Sequence, residues 1–141
     1  MITIEQALEI ALNAHRGQKD LDGKPVILHP LSVGLQGDTE AEVVTGFLHD
    51  VVEDTDYTFD TLKEKGVSEE ILSALELLTH KEGQVYQDYL KRIINSHNQI
   101  ALKVKIRDLM HNIRRNDRST EEKRRIYRKH LNAIRLLRGG K

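Results

Sequence analysis

The sequence predicts an all-α fold, a single compact helical domain that covers residues 1–141. Three observations support this class. Apolar residues recur at spacings of three and four over most of the chain, as they do on one face of a helix. Ser or Thr followed three positions later by Glu or Gln opens several of these segments, as in a capping box. Strand signals such as alternating runs, Asn-Gly turns and frequent aromatic residues are nearly absent.

The helices follow one another with short connections. The predicted helices run, in order, over residues 3–17, 30–35, 39–55, 58–65, 68–79, 84–95, 100–115 and 119–138. Their starts are marked by Thr3, Pro30, Thr39, Ser68 and Ser119, and their stops by Gly17, Gly37, Gly66 and the Gly139-Gly140 pair. The longest connection is the loop of residues 18–28, which contains Asp22-Gly23-Lys24-Pro25. No internal repeat or linker divides the chain.

Composition limits the chemistry that the chain can perform. With no cysteine among 141 residues, disulfides, thiolate nucleophiles and Cys-ligated zinc are excluded, and a cytoplasmic protein is predicted. Any metal must be held by His, Asp or Glu, which favours harder ions such as Mn, Mg or Fe(II). No apolar run reaches the roughly 20 residues of a membrane span, and the first five residues do not resemble a secretory signal.

Charge is distributed unevenly although the formal net charge is zero. Residues 1–100 hold 8 Lys/Arg against 18 Asp/Glu, whereas residues 101–141 hold 14 against 4. An acidic metal region that faces basic helices would suit an anionic substrate. The alternative interpretation is a solvated basic helix face that is attracted to an acidic body. Nucleic-acid binding by the basic run 123–129 is disfavoured, because Tyr127 is its one interleaved aromatic residue.

The most informative segment is His49-Asp50-Val51-Val52-Glu53-Asp54-Thr55, which places one histidine and three carboxylates within six positions. On a continuous helix, His49 lies one turn from Glu53 and Asp50 one turn from Asp54, so the four side chains would share nearly one surface. Carboxylates packed this closely repel one another. The segment therefore predicts a bound cation or a carboxyl that stays protonated for acid-base work.

Three further segments accompany this motif. They are Ala14-His15-Arg16-Gly17-Gln18, Gly23-Lys24-Pro25-Val26-Ile27-Leu28-His29-Pro30 and Val104-Lys105-Ile106-Arg107-Asp108-Leu109-Met110-His111-Asn112. With the motif at residues 47–55, they occur in the order found in the HD superfamily of metal-dependent phosphohydrolases. Within it, the chain resembles the hydrolase domain of RelA/SpoT-type (p)ppGpp enzymes and the small alarmone hydrolases. The resemblance spans residues 5–115.

The resemblance implies a role for each matching residue. Four metal ligands are implied, usually to Mn²⁺: His29, His49, Asp50 and Asp108. Glu53 and Asp54 match the catalytic pair that positions or deprotonates the attacking water and helps to protonate the departing oxygen. Substrate contacts are expected from Arg16, Lys105 and Asn112. The implied activity is guanosine-3′,5′-bis(diphosphate) 3′-pyrophosphohydrolase, with a small-molecule nucleotide as the partner and a homo-oligomer left open.

One loop departs from the family pattern. Where alarmone hydrolases usually place a basic pair and then a Tyr, this chain has Asp20-Leu21-Asp22 and Val26. An HD phosphohydrolase that acts on another nucleotide or on a phosphate monoester is therefore an alternative, as is a non-catalytic module that binds nucleotides or nucleic acid. For His15, a structural hydrogen bond and a substrate contact are equally open, and His111 lies either beside the ligands or on the surface. The remaining histidines are predicted to lie on the surface: His80, His97 and His130.

Overall fold

Nine α-helices make up residues 2–139, the part of the chain that the computed structural model describes. They are α1 (Ile4–Ala14), α2 (Leu28–Leu35), α3 (Glu40–Leu48), α4 (Val51–Asp54), α5 (Phe59–Glu64), α6 (Glu69–Leu78), α7 (Tyr86–Ser96), α8 (Gln99–Arg115) and α9 (Glu121–Leu137). Within this range there is no strand, only one isolated antiparallel bridge between Lys19 and Pro25. The predicted all-α class is confirmed. Met1 and the predicted stop at Gly140 lie outside the described residues.

Helix starts agree with the capping signals of the sequence. The Thr3 hydroxyl accepts from the Gln6 amide while the Gln6 side chain accepts from the Thr3 amide, which is the predicted capping box. At α3 only half of the second box forms. The Thr39 hydroxyl accepts from the Glu42 amide, but the Glu42 carboxylate binds the Arg107 guanidinium and the Asp38 amide instead. This carboxylate therefore joins α3 to α8.

The prediction of one uninterrupted helix over residues 39–55 is wrong. The helix ends at Leu48, and α4 is a separate turn. The His49 Nδ1–H donates to the Gly46 carbonyl oxygen at 2.6 Å, the acceptor that the Asp50 amide would use in a continuous helix. The imidazole thus replaces the helical hydrogen bond and separates His49 from the acidic turn that follows.

The start of α2 also differs from the prediction. The helix begins at Leu28 rather than Pro30, because the Leu28 and His29 amides already donate to the carbonyls of Pro25 and Val26. Pro30 then occupies the first turn, where no intrahelical donor is required of it. As a result His29 lies inside the helix and is buried.

Two hydrophobic clusters form the core. The first is built mainly on α1, α3, α5 and the start of α6, and the second on the end of α6 with α7, α8 and α9. Helix α2 lies between them and packs against both α3 and α8. None of the helices described here combines the length and apolar composition that a bilayer crossing requires.

The crossing of α2 and α3 depends on two glycines. A Cβ atom at Gly46 would lie 2.6 Å from the Gly34 Cα, and one at Gly34 would lie 2.2 Å from the Phe47 ring. Both distances are far below van der Waals contact. The close approach that these glycines permit brings His29 of α2 near His49 at the end of α3.

Candidate metal centre and active site

Four side chains from three helix ends and one helix interior converge at the junction of the two clusters. His29 comes from α2, His49 and Asp50 from the break between α3 and α4, and Asp108 from the middle of α8. The Asp108 Oδ1 lies 2.7 Å from the His29 Nε2 and 3.5 Å from the His49 Nε2. The Asp50 Oδ2 lies 3.1 Å from the His49 Nε2 and 3.9 Å from the His29 Nε2. The fold thus brings all four predicted ligands together, and we call this group of four side chains the metal cluster.

The His49 side chain provides a test of whether these residues fit a metal ion. Its Nδ1–H is bound to the Gly46 carbonyl, so the lone pair of the neutral ring is on Nε2. That nitrogen is buried, has no hydrogen-bond partner among the described residues, and faces two carboxylates. Burial disfavours a charged ring, yet the charges of Asp50 and Asp108 raise the pKa of His49 well above its ordinary value. The two carboxylates therefore favour a positive charge at this position, and a divalent cation bound to all four groups would supply it.

The spacing of the ligand atoms agrees with this. One atom each from His29, His49 and Asp50 lies within 4.8 Å of the others, and Asp108 contacts both imidazoles. Neighbouring ligands of an octahedral ion with bonds of about 2.1 Å are about 3 Å apart. The chain therefore contains a His/Asp site suited to a hard divalent metal.

Asp108 is held from its other side by α8 itself. The Lys105 ammonium donates to Oδ2 at 2.8 Å, and the Asn112 amide approaches Oδ1 at 3.3 Å. Burial opposes the charge of Lys105, but the Asp108 carboxylate more than offsets this and raises the pKa of Lys105 well above its usual range. Lys105 and Asn112, the two predicted substrate-binding residues of α8, both contact Asp108. They line a cleft that is also lined by His49, Asp50 and Asp108.

His111 is stacked on His29, with ring centroids 5.0 Å apart, and the two Nδ1 atoms are 2.7 Å apart. Burial, together with the nearby His29 and Arg115, lowers the pKa of His111 to about 4, so the ring is neutral near pH 7. If the His29 Nε2 binds a metal in place of its 2.7 Å hydrogen bond to the Asp108 Oδ1, the neutral His111 is placed to accept from the His29 Nδ1–H. Of the two interpretations of His111, the structure supports the one beside the ligands.

The two acids of α4 are exposed: Glu53 lines the same cleft, whereas Asp54 lines a neighbouring depression together with Gln18 and Tyr57. One carboxylate oxygen each from Asp50, Glu53 and Asp54 lies within 4.8 Å of the others. Partial desolvation and the charges of Asp50 and Glu53 raise the pKa of Asp54 to about 6. The Glu53 Oε1 accepts from the His80 amide at 2.7 Å, so the connection between α6 and α7 fixes its direction.

The cleft has a volume of about 220 Å³. Besides the predicted residues it is lined by side chains that sequence reasoning did not assign: Leu78, His80, Tyr86, Tyr89, Leu109, Lys129 and His130. His80 and His130, which were predicted to lie on the surface, are half-buried and line the cleft. His97 is exposed as predicted, at the left-handed C-cap of α7. No local sequence signal marks His80, because its contact with Glu53 spans 27 positions.

Two residues of the segment 14–18, His15 and Arg16, lie outside the cleft. Arg16 does not line it, and its exposed guanidinium donates to the Asn13 side chain. His15 is buried, with its Nδ1 2.9 Å from the Gln18 Oε1, and the Gln18 amide donates to the backbone oxygen of Asp54. The structure therefore supports the structural role of His15 and gives Arg16 no contact with the cleft.

The loop that departs from the family pattern carries its acids in ion pairs. The Asp20 carboxylate accepts hydrogen bonds from the backbone amides of Asp22 and Lys24 and lies 3.5 Å from the Arg115 guanidinium. Asp22 lies 3.7 Å from the Lys123 ammonium. Arg115 also donates to the Asn112 side chain, so the loop is linked to the metal cluster through two residues of α8.

Comparison with known proteins gives sequence relatives of one kind. No family model matches the chain. It is 35% identical over 136 residues to a GTP pyrophosphokinase of Myxococcus xanthus, which covers 85% of this chain and 18% of the relative. It is 37% identical over 132 residues to a guanosine-3′,5′-bis(diphosphate) 3′-pyrophosphohydrolase of Haemophilus influenzae, covering 82% of this chain and 19% of the relative. The chain thus spans about a fifth of the length of these relatives.

A solved structure extends the comparison to the fold. A metazoan orthologue of SpoT that hydrolyses ppGpp aligns over 96% of this chain and 85% of its own, with a TM-score of 0.77 and 24% sequence identity. At that identity the likeness concerns the fold. Together, sequence and fold make this chain a relative of the RelA/SpoT-type (p)ppGpp hydrolases and pyrophosphokinases, as its HD motifs indicated.

Proposed function

We propose that the chain is a metal-dependent phosphohydrolase that releases pyrophosphate from guanosine 3′,5′-bis(diphosphate), with Mn²⁺ as the metal. The proposal rests chiefly on the convergence of His29, His49, Asp50 and Asp108 around a buried imidazole nitrogen that lacks a partner. The name of the relative from Haemophilus influenzae supports this substrate. A metal held there would lower the pKa of a water molecule and polarise a phosphate oxygen.

The proton transfers are assigned to the α4 pair. Glu53 is held by the His80 amide and keeps its second carboxylate oxygen available to orient or deprotonate the attacking water. Asp54, whose pKa is about 6, can carry a proton near neutral pH and can deliver it to the departing oxygen. Lys105 and Asn112 hold Asp108 in place, and Lys129 provides a cation for the phosphates on the opposite wall.

The direct test is pyrophosphate release by the purified chain with guanosine tetraphosphate and guanosine pentaphosphate in the presence of Mn²⁺. We expect turnover that is abolished by a chelator and restored by Mn²⁺. The Glu53→Gln variant is the matched control, because it should bind the metal without turnover. Absence of turnover with both nucleotides above a metal-only control would reject this substrate.

A second candidate function is favoured by the loop at Asp20–Val26, which presents carboxylates paired with Arg115 and Lys123. An enzyme of the same chemistry could then prefer another nucleotide or a phosphate monoester. A panel of nucleotides and monoesters assayed for both pyrophosphate and phosphate release separates the two. Metal binding without turnover of any compound would instead support the non-catalytic module.

A further inference from the structure

A second concave surface lies between α7 and α9, beside the metal cleft. Its volume is about 560 Å³, within the usual range for small-molecule sites of about 300–1,000 Å³. We call it the α7–α9 groove. Ten residues line it, among them Tyr86, Leu90, Arg125, Arg128, Lys129 and Arg135.

The groove is strongly basic. Four of its ten lining residues are Arg or Lys and none is acidic. Arg125, Arg128, Lys129 and Asn132 are spaced by three, four and seven positions, so they follow one face of α9. Arg128 pairs with Glu121 at 3.2 Å, but both side chains are more than half exposed and the pair is weak.

The other cations of the groove lack a carboxylate partner within residues 2–139. Arg125 and Arg135 form neither an ion pair nor a side-chain hydrogen bond there, and Lys129 lies over the Tyr86 ring at 4.1 Å. Cations on one helix face repel one another. An anion in the groove would remove this repulsion and accept the unused donors.

The groove also has the uneven lining of a binding site. Leu90 and Ala133 are buried at its base, whereas the amides of Gln87 and Asn132 are exposed at its rim. Here the cations surround an apolar floor, an arrangement that suits a compact ligand with a concentrated negative charge.

The groove is separate from the metal cleft although the two adjoin. None of the four predicted ligands, and neither residue of the α4 pair, lines it. Tyr86 and Lys129 line both cavities and form the wall between them. A ligand in the groove would therefore contact the cleft wall without reaching the metal ligands.

We propose that the α7–α9 groove is a second, non-catalytic anion site that binds a diphosphate group, either of free pyrophosphate or of a nucleotide. Arginine binds such groups through two parallel hydrogen bonds, and Arg125, Arg128 and Arg135 are available on one face. The proposal does not depend on the hydrolase activity, since it requires only binding.

Titration of pyrophosphate into metal-free protein, followed by calorimetry, tests the proposal. A chelator is present throughout, so that no metal in the cleft contributes to binding. We expect saturable binding that weakens about 10-fold or more in Arg125→Ser/Arg135→Ser, because charged hydrogen bonds are lost. Arg114→Ser/Lys65→Ser carries the same charge change at exposed positions outside the groove and should change the affinity less than about 2-fold.

A second measurement is independent of the variants. Amide resonances of Gln87, Asn132 and their neighbours should shift during the pyrophosphate titration of the unmutated chain, and those around residues 60–70 should not. A nucleoside diphosphate that binds more tightly than pyrophosphate identifies the nucleotide as the source, and equal affinity identifies the free anion.

Three results would overturn the proposal. One is equal pyrophosphate affinity in the groove variant and the matched control. Another is a set of resonance shifts confined to the metal cleft. The third is binding of a short RNA that is far tighter than that of either small anion and falls steeply with salt, which would assign the groove to nucleic acid.

Discussion

The metal cluster and the loop of residues 18–26 are connected through Asn112 and Arg115, yet they are held in different ways. The side chains of His29, His49 and Asp108 are no more than 8% exposed, and each has at least one fixed contact inside the protein. In the loop, Asp22 is 43% exposed and its nearest cation is 3.7 Å away. Buried contacts thus hold the predicted ligands in place, whereas the surface ion pairs of the loop contribute little to its stability.

Replacing a predicted ligand should have the largest effect. Asp108→Asn keeps the shape of the side chain but removes the charge that faces two imidazoles and Lys105. We expect the affinity for Mn²⁺ to fall at least about 100-fold, the upper end of what is lost with a supporting residue. Metal analysis after dialysis measures this. Asp88→Asn, at an exposed position of α7, is the control. Retention of the metal by Asp108→Asn would show that the buried Asp108 carboxylate is not needed to hold the metal.

The next effect is expected on the rate alone. Glu53→Gln still accepts from the His80 amide but cannot take a proton, so turnover should fall by about 10²- to 10⁴-fold with the metal retained. Steady-state kinetics with metal analysis separates the two properties. Glu82→Gln in the exposed connection before α7 should behave like the unmutated chain. A Glu53→Gln variant with full activity would remove Glu53 from the proposed mechanism.

A smaller effect is expected at His111. His111→Ala removes the ring nitrogen that lies 2.7 Å from the His29 Nδ1 and orients this ring, so the metal affinity should fall by about 10- to 100-fold. Titration with Mn²⁺ gives the dissociation constant, and His97→Ala provides the matched exposed control. Unchanged affinity in His111→Ala would mean that α2 packing alone orients His29.

The smallest effect is expected in the loop. Asp20→Asn removes one charge from the pair with Arg115 and should change the free energy of unfolding by less than about 1 kcal/mol, with metal affinity unaffected. The KM for an anionic nucleotide should fall, by no more than about 5-fold, since the removed charge repels phosphates. Thermal unfolding and kinetics measure both quantities. A loss of metal from Asp20→Asn would show that loop and cluster are not independent.

Local signals were sufficient for most helix positions, because caps such as Thr3, Thr39 and Ser68 act within one turn of the chain. At the last helix the N-cap is Thr120 instead of the predicted Ser119. Local signals could not reveal the break after Leu48, which depends on a side chain competing for a backbone acceptor. The contacts of His80 with Glu53 and of His29 with His111 join distant segments, so spacing alone did not indicate them. The approach of Gly34 to Gly46 was missed for the same reason.

The position of the metal cluster between the two hydrophobic clusters has a consequence for folding. His29 and Asp108 are 79 positions apart, and the helices that carry them pack partly into different clusters. A cation bound by both would act as a reversible cross-link that closes a long loop and restricts the unfolded ensemble. Amide hydrogen exchange along α8 should then slow when the metal is added, more than exchange along α5, which lies in one cluster and carries no ligand.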